Sequence, residues 1–140
     1  MNAVFLFEPV RELWKRIVNI ATGVRDVWPE KGAAMVHAGA HVLDVRNPEE
    51  WARGIIPGSI LIPLRDLAAR ADEVAALRQS PVLVVCHGGK RSATACRLLR
   101  WIGFSGQVNL AGGVVGWSRA GMDLVSPYGA ASRVTAAVVR

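Results

Sequence analysis

The stretch Pro81-Val82-Leu83-Val84-Val85-Cys86-His87-Gly88-Gly89-Lys90-Arg91-Ser92 decides the fold. Four consecutive apolar residues after a proline predict a short strand buried on both faces, because a strand with one wet face would alternate apolar and polar side chains. Two glycines then free the backbone to curl tightly. From Ser92 to Ile102 the apolar residues recur at helical spacing, and Gly103 closes the pattern. A doubly buried strand that feeds a tight loop and a helix is a building unit of parallel sheets.

The flanking sequence repeats this alternation. His41-Val42-Leu43-Asp44-Val45 reads as a buried strand ending in polar residues, Ile60-Leu61-Ile62 as a short one stopped by Pro63, and Gln107-Val108-Asn109-Leu110 as another. Asn47-Pro48-Glu49-Glu50 opens a short helix. Asn47 can cap it, Pro48 suits its first position, and the acids suit its positive end. Leu64, Leu67, Ala68, Ala71, Val74 and Ala75 predict one helix over 64–77, and Gly112 to Ala120 a last short one. Strands alternating with helices predict an α/β fold, a parallel sheet covered by helices on both faces.

Three segments are expected: a helical extension over 1–23, a domain over 24–124, and a tail over 125–140 whose structure the sequence does not assign. In the extension, Val10, Leu13, Trp14, Ile17, Val18 and Ala21 recur at helical spacing with Arg11, Glu12, Lys15 and Arg16 between them. This amphipathic pattern predicts a helix packed on the domain. A homodimer formed through the helix and a helix lying on a membrane surface are the alternatives, and the mixed charge of the polar face weakens the latter.

Bulk properties narrow the function. The chain has 140 residues, 51% of them hydrophobic, which suits one domain with a sizeable core. Net charge is +6, and after Ser92 there are five arginines against one acid, Asp123. No dense basic run or aromatic-interleaved stripe marks a nucleic-acid surface, so no nucleic-acid partner is expected. The basic C-terminal third would suit an acidic carrier protein. No stretch approaches a membrane span, Glu8-Pro9 cuts short the apolar start, and two cysteines make no disulfide framework. A reducing cytoplasmic location is expected.

Ligands of parallel sheets bind at the C-terminal strand ends, which is where Cys86 stands. The glycines let successive N–H groups of His87, Gly88, Gly89 and Lys90 point inward, and the helix start adds further free N–H groups and a positive dipole end. Lys90 and Arg91 add full charges. These features favour a thiolate at Cys86 and a cradle for an oxyanion or a terminal persulfide sulfur. Cys96, among Ala93, Ala95, Leu98 and Leu99, reads as a core residue. His37 and His41 lack metal-ligand spacing, so no metal is expected.

Cys-x-x-Gly-x-Arg-Ser after a buried strand resembles the active-site loop of rhodanese-like domains, matched at Cys86, Gly89, Arg91 and Ser92. Leu43-Asp44-Val45-Arg46, Glu50-Trp51 and Gly54-Ile55-Ile56-Pro57-Gly58-Ser59-Ile60 resemble the family's first signature. Val108-x-Leu110-x-Gly112-Gly113 with Trp117 resembles its second. The resemblance covers roughly residues 24–122. It implies an open, mostly parallel sheet with helices on both faces.

It also implies a sulfurtransferase that uses no cofactor. A sulfane sulfur would pass from a small anionic donor such as thiosulfate to Cys86, then from the persulfide to cyanide or a thiol. The N–H groups from His87 to Ser92 would hold the persulfide, Arg91 would orient the loop or the anion, and Asp44 and Arg46 would brace the neighbouring strand end. A persulfide carrier or regulatory module loaded by a partner protein is the alternative. Fold-related phosphatases have a loop one residue longer, which would put the arginine where this chain has Ser92. That favours sulfur over phosphate chemistry. Ile55 stands where the family often has His, and His87 where Arg is common.

Overall fold

The computed structural model describes residues 4–128. Its sheet has five strands, all parallel: β1 (Asp26–Val27), β2 (His41–Asp44), β3 (Ile60–Leu61), β4 (Val82–Val85) and β5 (Gln107–Leu110), in spatial order β1-β5-β4-β2-β3. β4 is central, as its apolar run requires. Val82, Leu83 and Val84 align with His41, Val42 and Leu43 on one side and with Gln107, Val108 and Asn109 on the other.

Alternation along β4 builds two cores. Val82, Val84 and Cys86 face one layer, with Leu43, Leu67, Val74, Ala95, Cys96 and Leu99. Leu83 and Val85 face the opposite layer, with Val42, Ile56, Val108, Leu110, Val114 and Trp117. Burying one such side chain stabilises by about 1.5–3 kcal/mol. The first layer is closed by α4 (Leu64–Leu67) and α5 (Lys90–Trp101), the second by α2 (Pro29–His37) and α6 (Gly113–Arg119). A short α3 (Pro48–Trp51) lies beside the end of β2.

The structure corrects the helix expected over 64–77. α4 stops at Leu67, and a 3-10 helix covers Ala71–Leu77. The chain tightens at Arg70, whose carbonyl accepts the Glu73 N–H while its guanidinium grips the Glu73 carboxylate at 2.6 and 2.9 Å. An i,i+3 pair of this kind suits the eclipsed geometry of a 3-10 turn. β1 and α2 lie outside the sequence reading. β1 is too short to show a period, and α2 buries only Pro29 and Gly32 fully, with the small or partly buried Ala33 and Val36 completing a weak apolar face. A Cβ at Gly32 would already stand 3.2 Å from Leu110, so the helix sits close on the sheet.

The N-terminal helix α1 spans Val4–Ala21. Its last turn is tied down: Asn19 donates to Asp26 at 3.1 and 3.2 Å. Val10, Leu13, Trp14, Ile17 and Ile20 nonetheless stay about half exposed or more, so α1 reaches over the domain without burying its apolar stripe. No helix among the described residues is long and apolar enough to cross a membrane. At the other end, Val125 and Ile55 exchange both backbone hydrogen bonds at 2.8 Å. Most of the tail expected over 125–140, residues 129–140, lies outside the described residues.

Candidate active site at the end of the central strand

Cys86 leaves β4 into the loop with its side chain 1% exposed. The loop closes around its sulfur. The Gly89 N–H donates to Sγ at 3.1 Å, and the Ser92 hydroxyl lies 3.2 Å from it. Gly89 takes φ +102°, a region closed to most side chains, and so turns the chain into α5. The first residues of α5, Lys90 to Ser92, carry N–H groups that have no intrahelical acceptor.

The loop carbonyls face away from the sulfur. Those of Cys86 and His87 accept the N–H groups of Val114 and Val115, at 2.9 and 3.2 Å. That approach needs Gly113, because a Cβ there would overlap the His87 carbonyl. The N–H groups of His87 and Gly88 have no acceptor among the described residues. Two donors meet the buried sulfur, and two further loop N–H groups have no acceptor among the described residues.

A family model described as Rhodanese-like domain matches residues 29–120. The chain belongs to the rhodanese-like domain family. It is 35% identical over 88 residues to a sulfurtransferase of Allochromatium vinosum, covering 63% of this chain and 80% of that one. It is 35% identical over 99 residues to the thiosulfate sulfurtransferase GlpE of Stutzerimonas stutzeri, covering 69% and 86%. Among solved structures, a rhodanese-related protein from Thermoplasma volcanium superposes with a TM-score of 0.66 at 32% identity, covering 72% of this chain and 97% of that one.

The rhodanese-like loop is held by side chains that the sequence reading did not assign. Asn109, buried on β5, donates to Asp26 at 2.9 Å and to the Gly89 carbonyl at 3.2 Å, and its oxygen accepts the Ser92 hydroxyl. The Ser92 proton therefore has two acceptors, Asn109 and Cys86, and can serve one at a time. A polar residue inside the apolar run Val108-Asn109-Leu110 was the available signal, since buried polar groups are kept for the partners they bond.

Glu50 is the second unassigned residue. Arg91 meets it with two parallel bonds of 2.7 and 2.8 Å, linking the loop to α3. Glu50 also accepts the Asn47 N–H at 2.8 Å. Its carboxyl is held down to about 2, first by the bonds from Arg91, with burial opposing. Arg91 thus points at α3.

Asp44 and Arg46 form a buried pair at the end of β2, with Nη2 to Oδ2 at 2.8 Å. Asp44 also accepts the Arg46 N–H at 3.0 Å and the Trp51 indole at 3.3 Å, while Arg46 reaches the carbonyls of Gly54 and Glu50 at 2.7 and 3.2 Å. Each charge is matched by several polar partners, which is what allows the pair to be dry.

The loop divides two cavities. Gly88, Gly89 and Lys90 face one of about 430 Å³, walled by α1 through Leu13 and Trp14. His87 and Arg91 face one of about 500 Å³, between α3 and α6. Cys96 lies inside α5, 2% exposed, and its thiol is pushed up to about 12, chiefly by burial and then by the charge of Asp26. Both cysteines are unpaired. No cluster able to hold a metal exists among the described residues.

Proposed function

We propose that this rhodanese-like domain is a sulfurtransferase that carries a sulfane sulfur as a persulfide on Cys86. The observation that supports this most is the buried sulfur met by the Gly89 N–H and the Ser92 hydroxyl, in a loop whose His87 and Gly88 N–H groups have no acceptor among the described residues. A thiolate there attacks the outer sulfur of thiosulfate. The new Cys86–S bond forms as the S–S bond of thiosulfate breaks, and sulfite leaves with the electron pair. Cyanide or a thiolate then takes the outer sulfur, and Cys86 leaves as thiolate. The N–H groups stabilise the anionic sulfur at each stage, because fixed donors in a site closed to water need no reorganisation.

In this reading Cys86 is the nucleophile, the loop from His87 to Ser92 binds the persulfide, and Arg91, Asp44 and Arg46 hold the scaffold. The two unpaired cysteines support a reducing, cytoplasmic setting. The test is intact-mass spectrometry after incubation with thiosulfate. The wild type should gain one sulfur atom, lose it to cyanide or a thiol, and gain none as Cys86→Ser. A folded wild type whose Cys86 is alkylated freely but takes no sulfur from thiosulfate would overturn this reading in favour of a carrier loaded by a partner protein.

A further inference from the structure

The two cavities beside the loop differ in how their charges are spent. The one under α1 mixes signs, with Glu12 and Asp26 among Lys15, Arg16, Lys90 and Arg97, and Lys15 is paired with Glu12 at 2.7 Å. The cleft between α3 and α6 is faced by four arginines, Arg46, Arg53, Arg91 and Arg119, against one carboxylate, Glu50. Two of those arginines are committed, Arg46 to Asp44 and Arg91 to Glu50. The guanidinium groups of Arg53 and Arg119 have no hydrogen-bond or carboxylate partner among the described residues. His87 lines the same cleft, and its carbonyl accepts the N–H of Val115 in α6, the helix that bears Arg119.

We infer that Arg53 and Arg119 form the subsite for the anionic group of the sulfur donor and set the preference for doubly over singly charged donors. The inference rests on the persulfide reading above and assigns the charge recognition to residues outside the loop. Arg91, at the loop's own arginine position, is neutralised by Glu50 and leaves that role open. Two unpaired guanidinium groups facing one cleft raise the local concentration of an oxyanion, and each can donate two hydrogen bonds to it. Both side chains are exposed, so the attraction is screened by salt.

The test compares thiosulfate, a dianion, with methanethiosulfonate, in which a methyl group replaces one charged oxygen. Arg53→Ala and Arg119→Ala should each raise KM for thiosulfate about tenfold, the loss expected for a hydrogen bond to a charged group. The effect on kcat should be small, and KM for methanethiosulfonate should rise several-fold less. Lysine at either position should restore most of the loss at low salt. An unchanged KM for thiosulfate, or an equal rise for both donors, would overturn the inference.

A second measurement needs no turnover. Sulfate should slow alkylation of Cys86 by neutral iodoacetamide in the wild type, and much less in the two alanine variants. If the wild type takes sulfur from neither donor, the persulfide reading falls and this protection decides the subsite. Protection that depends on Arg53 and Arg119 upholds it, and protection equal in all three proteins sinks it.

Discussion

Cys86 and Cys96 stand at the two ends of a contrast within one loop-helix unit. Both are buried to within 2% exposure, both are unpaired, and both belong to the same core layer. No described group donates a hydrogen bond to the Cys96 sulfur, and its thiol is pushed up to about 12, chiefly by burial and then by the charge of Asp26. Cys86 is met by the Gly89 N–H and the Ser92 hydroxyl, with two further N–H groups unengaged nearby. Burial alone therefore makes a cysteine inert. Donors aimed at the sulfur are what set the surroundings of Cys86 apart from those of Cys96.

The most direct way to break this contrast is to exchange the roles of the two sulfurs. Cys86→Ser should abolish sulfur loading, whereas Cys96→Ser should load as the wild type does. Neutral-pH alkylation followed by peptide mapping should label Cys86 and leave Cys96 unlabelled until the protein unfolds. Labelling of Cys96 in the folded protein would show that its surroundings are not closed.

A smaller effect tests the frame that holds the donors. Asp44→Ala leaves the Arg46 guanidinium buried with no carboxylate, and should cost about 3–5 kcal/mol in urea unfolding. Loading should fail once the variant unfolds and not before. A loss under 1 kcal/mol would mean that water replaces the carboxylate.

Two pH experiments sharpen the contrast at its edges. The Cys96 thiol titrates higher in the folded chain than in the unfolded one, so the unfolded state loses its proton first as pH rises. Stability should fall between the ordinary thiol range near 9 and about 12, and Cys96→Ala should flatten that limb. Glu50 works in the opposite sense. Its folded pKa lies below its ordinary value of 4.5, so its contribution is full above that pH and disappears as pH falls toward about 2. The pair with Arg91 is partly solvated, with side chains 26% and 34% exposed, so Glu50→Gln should remove only about 1 kcal/mol of acid-sensitive stability. An acid limb unchanged in Glu50→Gln would assign it to other carboxylates.

Much of this frame is legible residue by residue. The run Val82–Val85 can only be a strand with two dry faces, and Gly88-Gly89 ahead of a helical pattern can only be a curl that leaves N–H groups free. These are near-neighbour effects, set by sterics and by burial over a few residues. The contacts that aim the loop are of another kind. Glu50 and Arg91 lie 41 residues apart, and Asp26 and Asn109 lie 83 apart. No local period joins them, so the sequence leaves Arg91 to orient either the loop or an anion, and its partner Glu50 is visible only in the folded chain. The break of the expected 64–77 helix at Arg70 was missed for a different reason: the Arg70–Glu73 pair is local, but no glycine or proline marks it.

By itself, then, the sequence determined four of the five strands, the central loop with its cysteine, and an excess of arginine. The tertiary structure decided which of the four arginines facing the cleft are paired with a carboxylate, because charge is a property of each residue, while pairing depends on distances that only the folded chain sets.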